Sequence, residues 1–524
     1  MSGRDAQRIL EQAASDFAAG NFAEAAAGFK AVIDLHPDVG ELYVNLGAAL
    51  RADGQLAEAE ETYRSAIDKS PKSALAWFNL ANLLRDLGRR DEALAAYRKA
   101  DALQPGTAEI LNNLGVQLYD MGNVDEALRH YDAALAVKPD FADALTNRGN
   151  ALQRLGRMED AAQAIDAALQ ANPDHPVYRL NKASYLAAAG YHADALSWAD
   201  RAIAADPDYV EARLKKASLL IQTGDLAAGF RDYEVRWDIP GWHALPEKLP
   251  MPAWQGDDIS GKTLLLWNEQ GYGDALMYAR YIPVLQQRGA RVALMCEPPL
   301  TGLFRESFDD TVAVHALDGP LPEADVHASL MSLPFLMGTV METIPATVPY
   351  LRARPADVQR WQDDVADIAG GRPTAGIVWA GNPGQAHDYS RSIAPDMLSP
   401  LLARDDVCFF NLLVGPRGNT LGHDRAADVR DRLTDFAATA ALMQALDLVI
   451  SVDSAPAHLA GALGRPLWVL LAFDPDSRYF LGRDDSPWYP SATLLRQPAP
   501  GDWASVIADA NTRLDSFTSA KAKR

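Results

Sequence analysis

The 524-residue sequence has few cysteines, no long apolar run and no excess of basic residues. Its two cysteines, Cys296 and Cys408, lie far apart, which argues against a disulfide scaffold or a zinc ribbon and favours a reducing cytoplasm. No apolar stretch reaches the roughly 20 residues that cross a bilayer, and "MSGRDAQRILEQ" lacks the apolar core of a signal peptide. The formal net charge of −21, without a basic stripe, argues against nucleic-acid binding. We therefore expect a cytoplasmic protein with no membrane span.

The first half of the chain repeats with a period of 34 residues. Small, bulky and proline positions all recur at this step, and the prolines stand at Pro37, Pro71, Pro105, Pro139, Pro173 and Pro207. In paired antiparallel helices, small residues allow close approach, bulky residues fill the gap and a proline ends the second helix. The pattern resembles the tetratricopeptide repeat and predicts an α-solenoid over residues 1–238.

A series of asparagines keeps the same step, two residues before the small position of each first helix. Its members are Asn45, Asn79, Asn113, Asn147 and Asn181. First helices line the concave groove of such a solenoid, and a ladder of amides suits the backbone of an extended protein acceptor. The alternative is that these amides bond within and between the repeats, and the sequence leaves both interpretations open.

Two α/β segments follow a connector rich in proline and tryptophan, at residues 239–258, whose tryptophans indicate a packed junction. Strand, turn and helix signals fill residues 259–370 and begin again over residues 371–516, which leaves a tail at 517–524. Two Rossmann-like halves predict a cleft between them, where ligands usually bind.

The loop "NEQGYGD" directly follows the first predicted strand of the first half. Gly271 and Gly273 match part of a dinucleotide-binding fingerprint, but Leu276 stands at the third glycine position. Asp274, at the start of a predicted helix, would repel a phosphate and argues against NAD. Asp274 is interpreted either as a helix cap or as an ionised general base, with a pKa that the helix dipole lowers.

The stretch "DSAPAH" begins a helix after the predicted strand "LVISV" of the second half. Ser454 is predicted to cap this helix, and Pro456 suits its first turn because no N–H is needed there. We expect free backbone N–H groups, Ser454 and His458 to converge on a spot that fits a diphosphate. Asp453 suits sugar hydroxyls or orders the turn. The alternative for His458 is a buried helix histidine.

Three stretches together resemble the heptosyltransferase-like glycosyltransferases of family nine. "SVDSAPAHLAGALGRPLWVL" is similar to their D-[ST]-x-x-x-H signature, "EQGYGDALMYARYIPVL" to their first loop and "GIVWAGNPGQAHDYSRSI" to their second-domain loop. The whole chain resembles bacterial flagellin glycosyltransferases that join tetratricopeptide repeats to such a domain. The resemblance implies a GT-B fold, a pair of facing Rossmann-like α/β domains, in which a nucleotide sugar is the co-substrate and neither a metal nor a cofactor takes part.

The resemblance also implies roles for individual residues. Asp274 and His458 become the candidate catalytic residues. Donor contacts are implied for Gly273, Asn382, Arg391, Asp453, Ser454, Ala455 and His458. The family pattern has a lysine where this chain has Val414, and Arg417 is the expected substitute.

The function predicted from the sequence is transfer of a sugar to serine or threonine hydroxyls of a protein held by the solenoid, with flagellin as one candidate. Two alternatives stay open: a repeat scaffold with a degenerate glycosyltransferase-like domain, and a glycosyltransferase with a saccharide acceptor. UDP-linked GlcNAc, ADP-linked heptose and a CMP-linked nonulosonic acid all suit the predicted donor site.

Overall fold

The computed structural model of the protein describes residues 3–239, 245–385, 388–421 and 426–521. Its first half is a series of antiparallel helix pairs, as the 34-residue period predicts. These helices are α1 (Gly3–Ala18), α2 (Phe22–Leu35), α3 (Gly40–Ala52), α4 (Leu56–Lys69), α5 (Ala74–Asp86), α6 (Arg90–Leu103), α7 (Ala108–Asp120), α8 (Val124–Val137), α9 (Ala142–Arg154), α10 (Met158–Ala171), α11 (Pro176–Ala188), α12 (His192–Ala205), α13 (Val210–Gln222) and α14 (Leu226–Tyr233).

The helices of each pair pack closely because small positions face bulky ones. A methyl group added to Gly47 would lie 2.6 Å from the ring of Tyr63, which is buried. The second helix of a pair ends two residues before its proline, as α4 does at Lys69 before Pro71. The predicted solenoid is therefore confirmed.

The chain forms two compact units, Met1–Tyr185 and Leu186–Arg524. The second unit takes in α12, α13 and α14 together with the whole α/β region. Helix α11 spans the division, and the domain boundaries predicted from the sequence stay predictions. Among the described residues, no helix combines the length and the apolar character needed to cross a bilayer.

Two parallel sheets form the α/β region of the second unit. The first contains β1 (Thr263–Trp267), β2 (Arg291–Cys296), β3 (Val312–Ala316) and β4 (Val326–Ser329), in the order β3-β2-β1-β4. The second contains β5 (Thr374–Val378), β6 (Cys408–Asn411), β7 (Ala427–Asp428), β8 (Leu448–Val452), β9 (Leu467–Leu471) and β10 (Ala492–Arg496), in the order β10-β9-β8-β5-β6-β7. Parallel strands of one sheet end at a common edge, so the loops that follow β8 and β9, neighbours in the second sheet, lie close together.

Helices connect and cover these strands. They are α15 (Tyr272–Tyr278), α16 (Tyr281–Gln287), α17 (Pro298–Phe308), α18 (Leu333–Leu336), α19 (Pro355–Ala369), α20 (Asp388–Arg391), α21 (Ser399–Leu402), α22 (Phe436–Ala445), α23 (Ala455–Ala462) and α24 (Trp503–Lys521).

Two helices differ from their predicted extents. The sequence predicts one helix from Asp274 to Gly289, but the structure has α15 and α16 with a break between them. Pro283 has no N–H to donate to the carbonyl of Ala279, which explains the break. The closing helix, α24, is predicted to end near Leu514 but continues to Lys521.

The last repeat and the sheets share one hydrophobic core. Ile221 of α13 and Leu226 and Phe230 of α14 belong to the same buried cluster as the strands of both sheets. In the connector, Trp254 is buried and its indole N–H donates to the carbonyl of Asp257 at 3.0 Å. This contact supports the predicted packed junction, while Trp242 lies outside the described residues.

Candidate functional site

The two sequence motifs meet where α15 and α23 face each other. A methyl group on Gly273 would lie 2.9 Å from Cδ2 of His458 and 3.6 Å from Cα of Ala455. A larger residue at position 273 would therefore have to displace the ring of His458. The structure therefore brings the loop after β1 against the helix start after β8, which the sequence had placed in separate halves.

Asp274 makes two different contacts at this meeting point. Its Oδ2 accepts a hydrogen bond from the backbone N–H of Gly271 at 3.1 Å, as a cap of α15 would. Its Oδ1 forms an ion pair with Arg478. Each oxygen keeps a second lone pair, so the cap and the cleft-facing base are compatible interpretations.

Arg478 is clamped by a second carboxylate. Its Nε donates to Oδ1 of Asp476 at 2.7 Å, and its Nη2 donates to Oδ2 at 3.0 Å. Asp476 also accepts the backbone N–H of Arg478 at 3.0 Å, which starts the 3-10 turn Ser477–Tyr479 after β9. We call Asp274, Asp476 and Arg478 the acidic cluster, because it holds two carboxylates and one guanidinium.

Burial and charge act differently on the two carboxylates of the acidic cluster. Burial raises the pKa of Asp274 above its ordinary value, although Arg478 opposes the shift. The lowered pKa expected from the helix dipole is therefore wrong, because desolvation outweighs it. Burial also acts to raise the pKa of Asp476, but Arg478 outweighs it and lowers that pKa to about 2.

His458 and Asp453 are both buried beside α23. Nδ1 of His458 lies 3.0 Å from the hydroxyl of Tyr489, and its Nε2 lies 3.9 Å from Oδ1 of Asp453. Burial lowers the pKa of His458 well below its ordinary value, with Arg478 adding to the effect, so the imidazole is neutral at pH 7. Burial raises the pKa of Asp453 to about 6, and the nearby Asp476 adds to this shift.

The start of α23 differs from its predicted form. Ser454 occupies the N-cap position, but its side chain does not cap the helix, and its Oγ lies 2.9 Å from Oγ of Ser451. Pro456 does lie in the first turn, as predicted. The N–H of Ala457 donates to the carbonyl of Ser454 at 3.0 Å. Since the N–H of His458 also donates to that carbonyl, at 3.3 Å, this helix start offers an anion fewer donors than expected.

Two predicted donor contacts, Arg391 and Arg417, converge on one carboxylate. Nε of Arg391 donates to Oδ1 of Asp388 at 3.2 Å, and Arg417 forms an ion pair with Oδ2 of the same residue. Asp388 is only 3% exposed, so its charge depends on these partners. We call Asp388, Arg391 and Arg417 the basic cluster. Nearby, the side-chain carbonyl of Asn382 accepts the N–H of Gly384 at 3.0 Å, which orders the loop after β5.

The basic cluster acts electrostatically on the buried motif. The charge of Arg391 opposes the rise in the pKa of Asp453 and contributes to the lowered pKa of His458. Val414, at the family's lysine position, is exposed, and Arg417 reaches inward from three residues further along. Arg391 is therefore one of the charges that act on both motif residues.

The asparagine series lies in the first unit and takes part in bonds between repeats. Nδ2 of Asn113 donates to Oδ1 of Asn82 at 3.1 Å, and Nδ2 of Asn147 donates to Oδ1 of Asn112 at 2.9 Å. Asn82 also accepts the hydroxyl of Tyr97 at 2.6 Å. Asn45 is exposed, and Asn79 and Asn181 are half-buried. Structural bonds thus occupy part of the ladder, and its role in acceptor binding stays a proposal.

Sequence reasoning missed Arg478, Asp476 and Asp388. Arg478 and Asp476 follow β9, the strand next to β8, so the rule that parallel strands end at one edge would have placed them near "DSAPAH". Asp388 gave no such signal, since it begins the short helix α20 and is not placed directly after a strand. Only the fold brings Arg417 to it.

Comparisons with known proteins agree with this architecture. Residues 10–74, 54–108 and 112–176, and then 176–201, match tetratricopeptide repeat families. Residues 432–499 match glycosyltransferase family 9 (heptosyltransferase), and this segment contains both "DSAPAH" and Arg478. Both resemblances read from the sequence are thereby confirmed: the chain joins tetratricopeptide repeats to a region like that of family 9 glycosyltransferases.

One curated relative is Protein FlbA of Caulobacter vibrioides, which is 28% identical over 330 residues. The match covers 57% of this chain and 54% of the relative, so the chain spans about half the length of that protein.

Solved structures similar to this chain include tetratricopeptide proteins. One, from Parabacteroides merdae, is 19% identical and has a TM-score of 0.41. The match covers 45% of this chain and 94% of the Parabacteroides chain. PilW, a type IV pilus biogenesis factor, is 22% identical and has a TM-score of 0.34. The match covers 38% of this chain and 90% of the PilW chain.

Proposed function

We propose that this protein transfers a sugar from a nucleotide-sugar donor to serine or threonine hydroxyls of a protein acceptor. The observation that carries the proposal is the packing of Gly273 against the helix start of the family 9 motif, next in the chain to Asp274 with its raised pKa. The tetratricopeptide repeats support a protein acceptor, since such repeats bind peptides and proteins. Flagellin is the candidate acceptor that the sequence resemblance suggests. The scarcity of cysteine supports a reducing, cytoplasmic location.

In the proposed reaction, the acceptor oxygen bonds to the anomeric carbon while the bond from that carbon to the donor phosphate breaks. The hydroxyl proton passes to Asp274, and the bonding electrons leave with the nucleotide. A raised pKa brings a carboxylate closer to the range in which it serves as a general base at neutral pH. The ion pair with Arg478 holds this carboxylate in one orientation.

The donor phosphates would lie between the start of α23 and the basic cluster. Arg391 is the residue proposed to neutralise the leaving nucleotide, because its charge already acts on both motif residues. Arg417 would stay on Asp388 when Arg391 turns to the phosphate, so that the buried carboxylate is not left unpaired. Neutral His458 would donate one hydrogen bond, and Asp453 would accept one from the sugar. Ser454, Ala455, Gly273 and Asn382 would complete the donor contacts.

One observation favours a second candidate function, that of a non-catalytic scaffold. Both arginines of the basic cluster already share Asp388, and the helix start has few open donors. A scaffold of this kind would keep the repeats as a binding surface and would not bind a nucleotide sugar.

Thermal-shift titration of the full chain with UDP-GlcNAc, ADP-heptose and a CMP-linked nonulosonic acid separates the two candidates. A ligand at 100 times its Kd stabilises the folded protein by about 2.7 kcal/mol, which is a shift of several degrees. We expect one donor to produce it and Arg391→Ala to reduce it to about half or less at the same donor concentration. If no nucleotide sugar raises the melting temperature, the scaffold is the better account.

A further inference from the structure

A cavity of about 200 Å³ lies where α13 and α14 meet both α/β halves. Ser218 of α13 and Tyr233 of α14 line one side of it. Gln270 and Asp274, from the segment after β1, line a second side, and Arg478 closes a third. The last repeat is therefore part of the wall beside the proposed base.

The wall contributed by the repeat is held in place by specific contacts. Nε2 of Gln270 donates to the hydroxyl of Tyr233 at 3.0 Å, which ties α14 to the loop after β1. Phe230, also on α14, lines the cavity and packs edge-on against Trp488, with ring centroids 6.4 Å apart. The cavity is thus preformed and does not require an approaching ligand to order it.

Helix α13 also holds the segment that carries Arg478. The buried amide of Gln222 donates to Oδ1 of Asp474 at 2.7 Å and to the carbonyl of Pro475 at 3.1 Å. These acceptors directly precede Asp476, the clamp of Arg478. The last repeat is therefore joined by two hydrogen bonds to the segment that carries Asp476 and Arg478.

The charge of the cavity excludes a phosphate. Its ionised groups are those of the acidic cluster, two carboxylates and one guanidinium, which leave one net negative charge. Among the described residues, those of "DSAPAH" and of the basic cluster are absent from its lining. The cavity therefore disfavours an anionic ligand, and a neutral hydroxyl group suits a carboxylate such as Asp274.

We infer that this cavity receives the hydroxyl-bearing side chain of the acceptor, a serine or threonine, and that the last repeat selects it. The inference rests on the proposed transfer reaction and deepens it. Ser218, Tyr233 and Gln270 supply hydroxyl and amide groups to a polar side chain, while Phe230 and its neighbours limit the cavity to a small one. The last repeat thus acts within the site, separately from the asparagine series of the first unit.

A reversible plug tests the inference in the full-length protein. Cys296 and Cys408 are both buried, so Ser218→Cys would provide the accessible thiol for benzyl methanethiosulfonate. The reagent leaves a benzyl group in disulfide linkage, which dithiothreitol removes. Glu211→Cys is the matched control, because residue 211 is exposed on the same helix. The donor is the nucleotide sugar with the largest thermal shift, and the acceptor is a peptide mixture with one central serine.

We expect the plugged Ser218→Cys variant to transfer sugar at least tenfold more slowly, while its donor affinity stays within twofold. Dithiothreitol should restore its transfer rate. The plugged Glu211→Cys variant should keep its transfer activity throughout. Unchanged transfer by the plugged variant would overturn the inference, and so would a parallel loss of donor affinity. If the unplugged protein neither binds a nucleotide sugar nor transfers it, the proposed function itself fails and the inference fails with it.

Discussion

The acidic and the basic cluster lie in the same unit but have opposite compositions. The acidic cluster places one guanidinium between two carboxylates, and the basic cluster places one carboxylate between two guanidiniums. Each central group holds its outer groups in fixed positions. The outer groups suit ligands of different chemistry: a carboxylate suits a hydroxyl that loses a proton, and a guanidinium suits a phosphate that gains charge. Under the proposed function, the acidic cluster would therefore serve the acceptor and the basic cluster the donor.

Asp274→Asn gives the largest expected effect, because it removes the base and keeps the shape. A positioned general base contributes about 10²- to 10⁴-fold to a rate. We therefore expect transfer to fall by that factor while donor affinity stays within twofold, as measured by radiolabelled sugar transfer and by titration. Near-normal transfer by the variant would remove Asp274 from the mechanism.

Asp453→Asn tests, through the thermal stability of the protein, whether the carboxyl of Asp453 is buried beside the two clusters. The carboxyl of Asp453 has a pKa of about 6 in the fold, above its ordinary value, so folding favours its protonated form. Below about pH 4 the carboxyl is protonated in both states and costs nothing, whereas stability falls as pH rises from there to about 6. A shift of about two units corresponds to about 3 kcal/mol. We expect the variant to melt higher than the wild type at pH 8 and equally at pH 4. Equal melting at both values would show that this carboxyl is not forced to ionise in a buried site.

Arg391→Ala and Arg417→Ala form a matched pair within the basic cluster. Losing a charged hydrogen bond to phosphate costs about 1.5–3 kcal/mol, so Arg391→Ala should weaken nucleotide-sugar binding by about 10- to 100-fold. Arg417→Ala should have the smaller effect on binding, because Arg417 is proposed to stay on Asp388. Isothermal titration measures both, and an equal or reversed order would contradict the assigned roles.

The asparagine series gives the smallest expected effect. Asn113→Ala breaks a bond to Asn82 and should destabilise the protein by about 1 kcal/mol. Asn45→Ala, at an exposed position, should change the stability by less than about 0.5 kcal/mol. Urea unfolding followed by circular dichroism measures both. If the triple variant Asn79→Ala, Asn113→Ala and Asn147→Ala loses stability but binds the peptide mixture unchanged, the ladder is structural.

The repeats were predictable because their packing is local. Gly47 meets Tyr63 within a single repeat, so the requirement for a small residue opposite a large one recurs every 34 residues and is visible in the sequence. The carboxyl ends of β1 and β8 were predictable for a similar reason, since each motif directly follows its strand.

The contacts that complete the site could not be predicted in this way. Arg478 lies 204 residues from Asp274 in the chain and follows a strand of the other sheet, so only the packing of the two α/β halves brings the two together. The pKa of Asp274 depends on its burial, which no short motif encodes, and so the helix dipole alone predicts the wrong direction for its shift. The sequence did not reveal that α13 and α14 line the cavity beside Asp274. The 34-residue pattern reports how these helices pack against each other, and it does not report which surface they present to the sheets.

The most direct test of the division between acceptor and donor sides compares Asp274→Asn with Arg391→Ala, using both donor affinity and transfer to the serine peptide mixture. The account predicts that Asp274→Asn keeps donor affinity and loses transfer, whereas Arg391→Ala loses donor affinity. If the two variants lose affinity and transfer in the same proportion, the clusters do not serve different substrates and the account is contradicted.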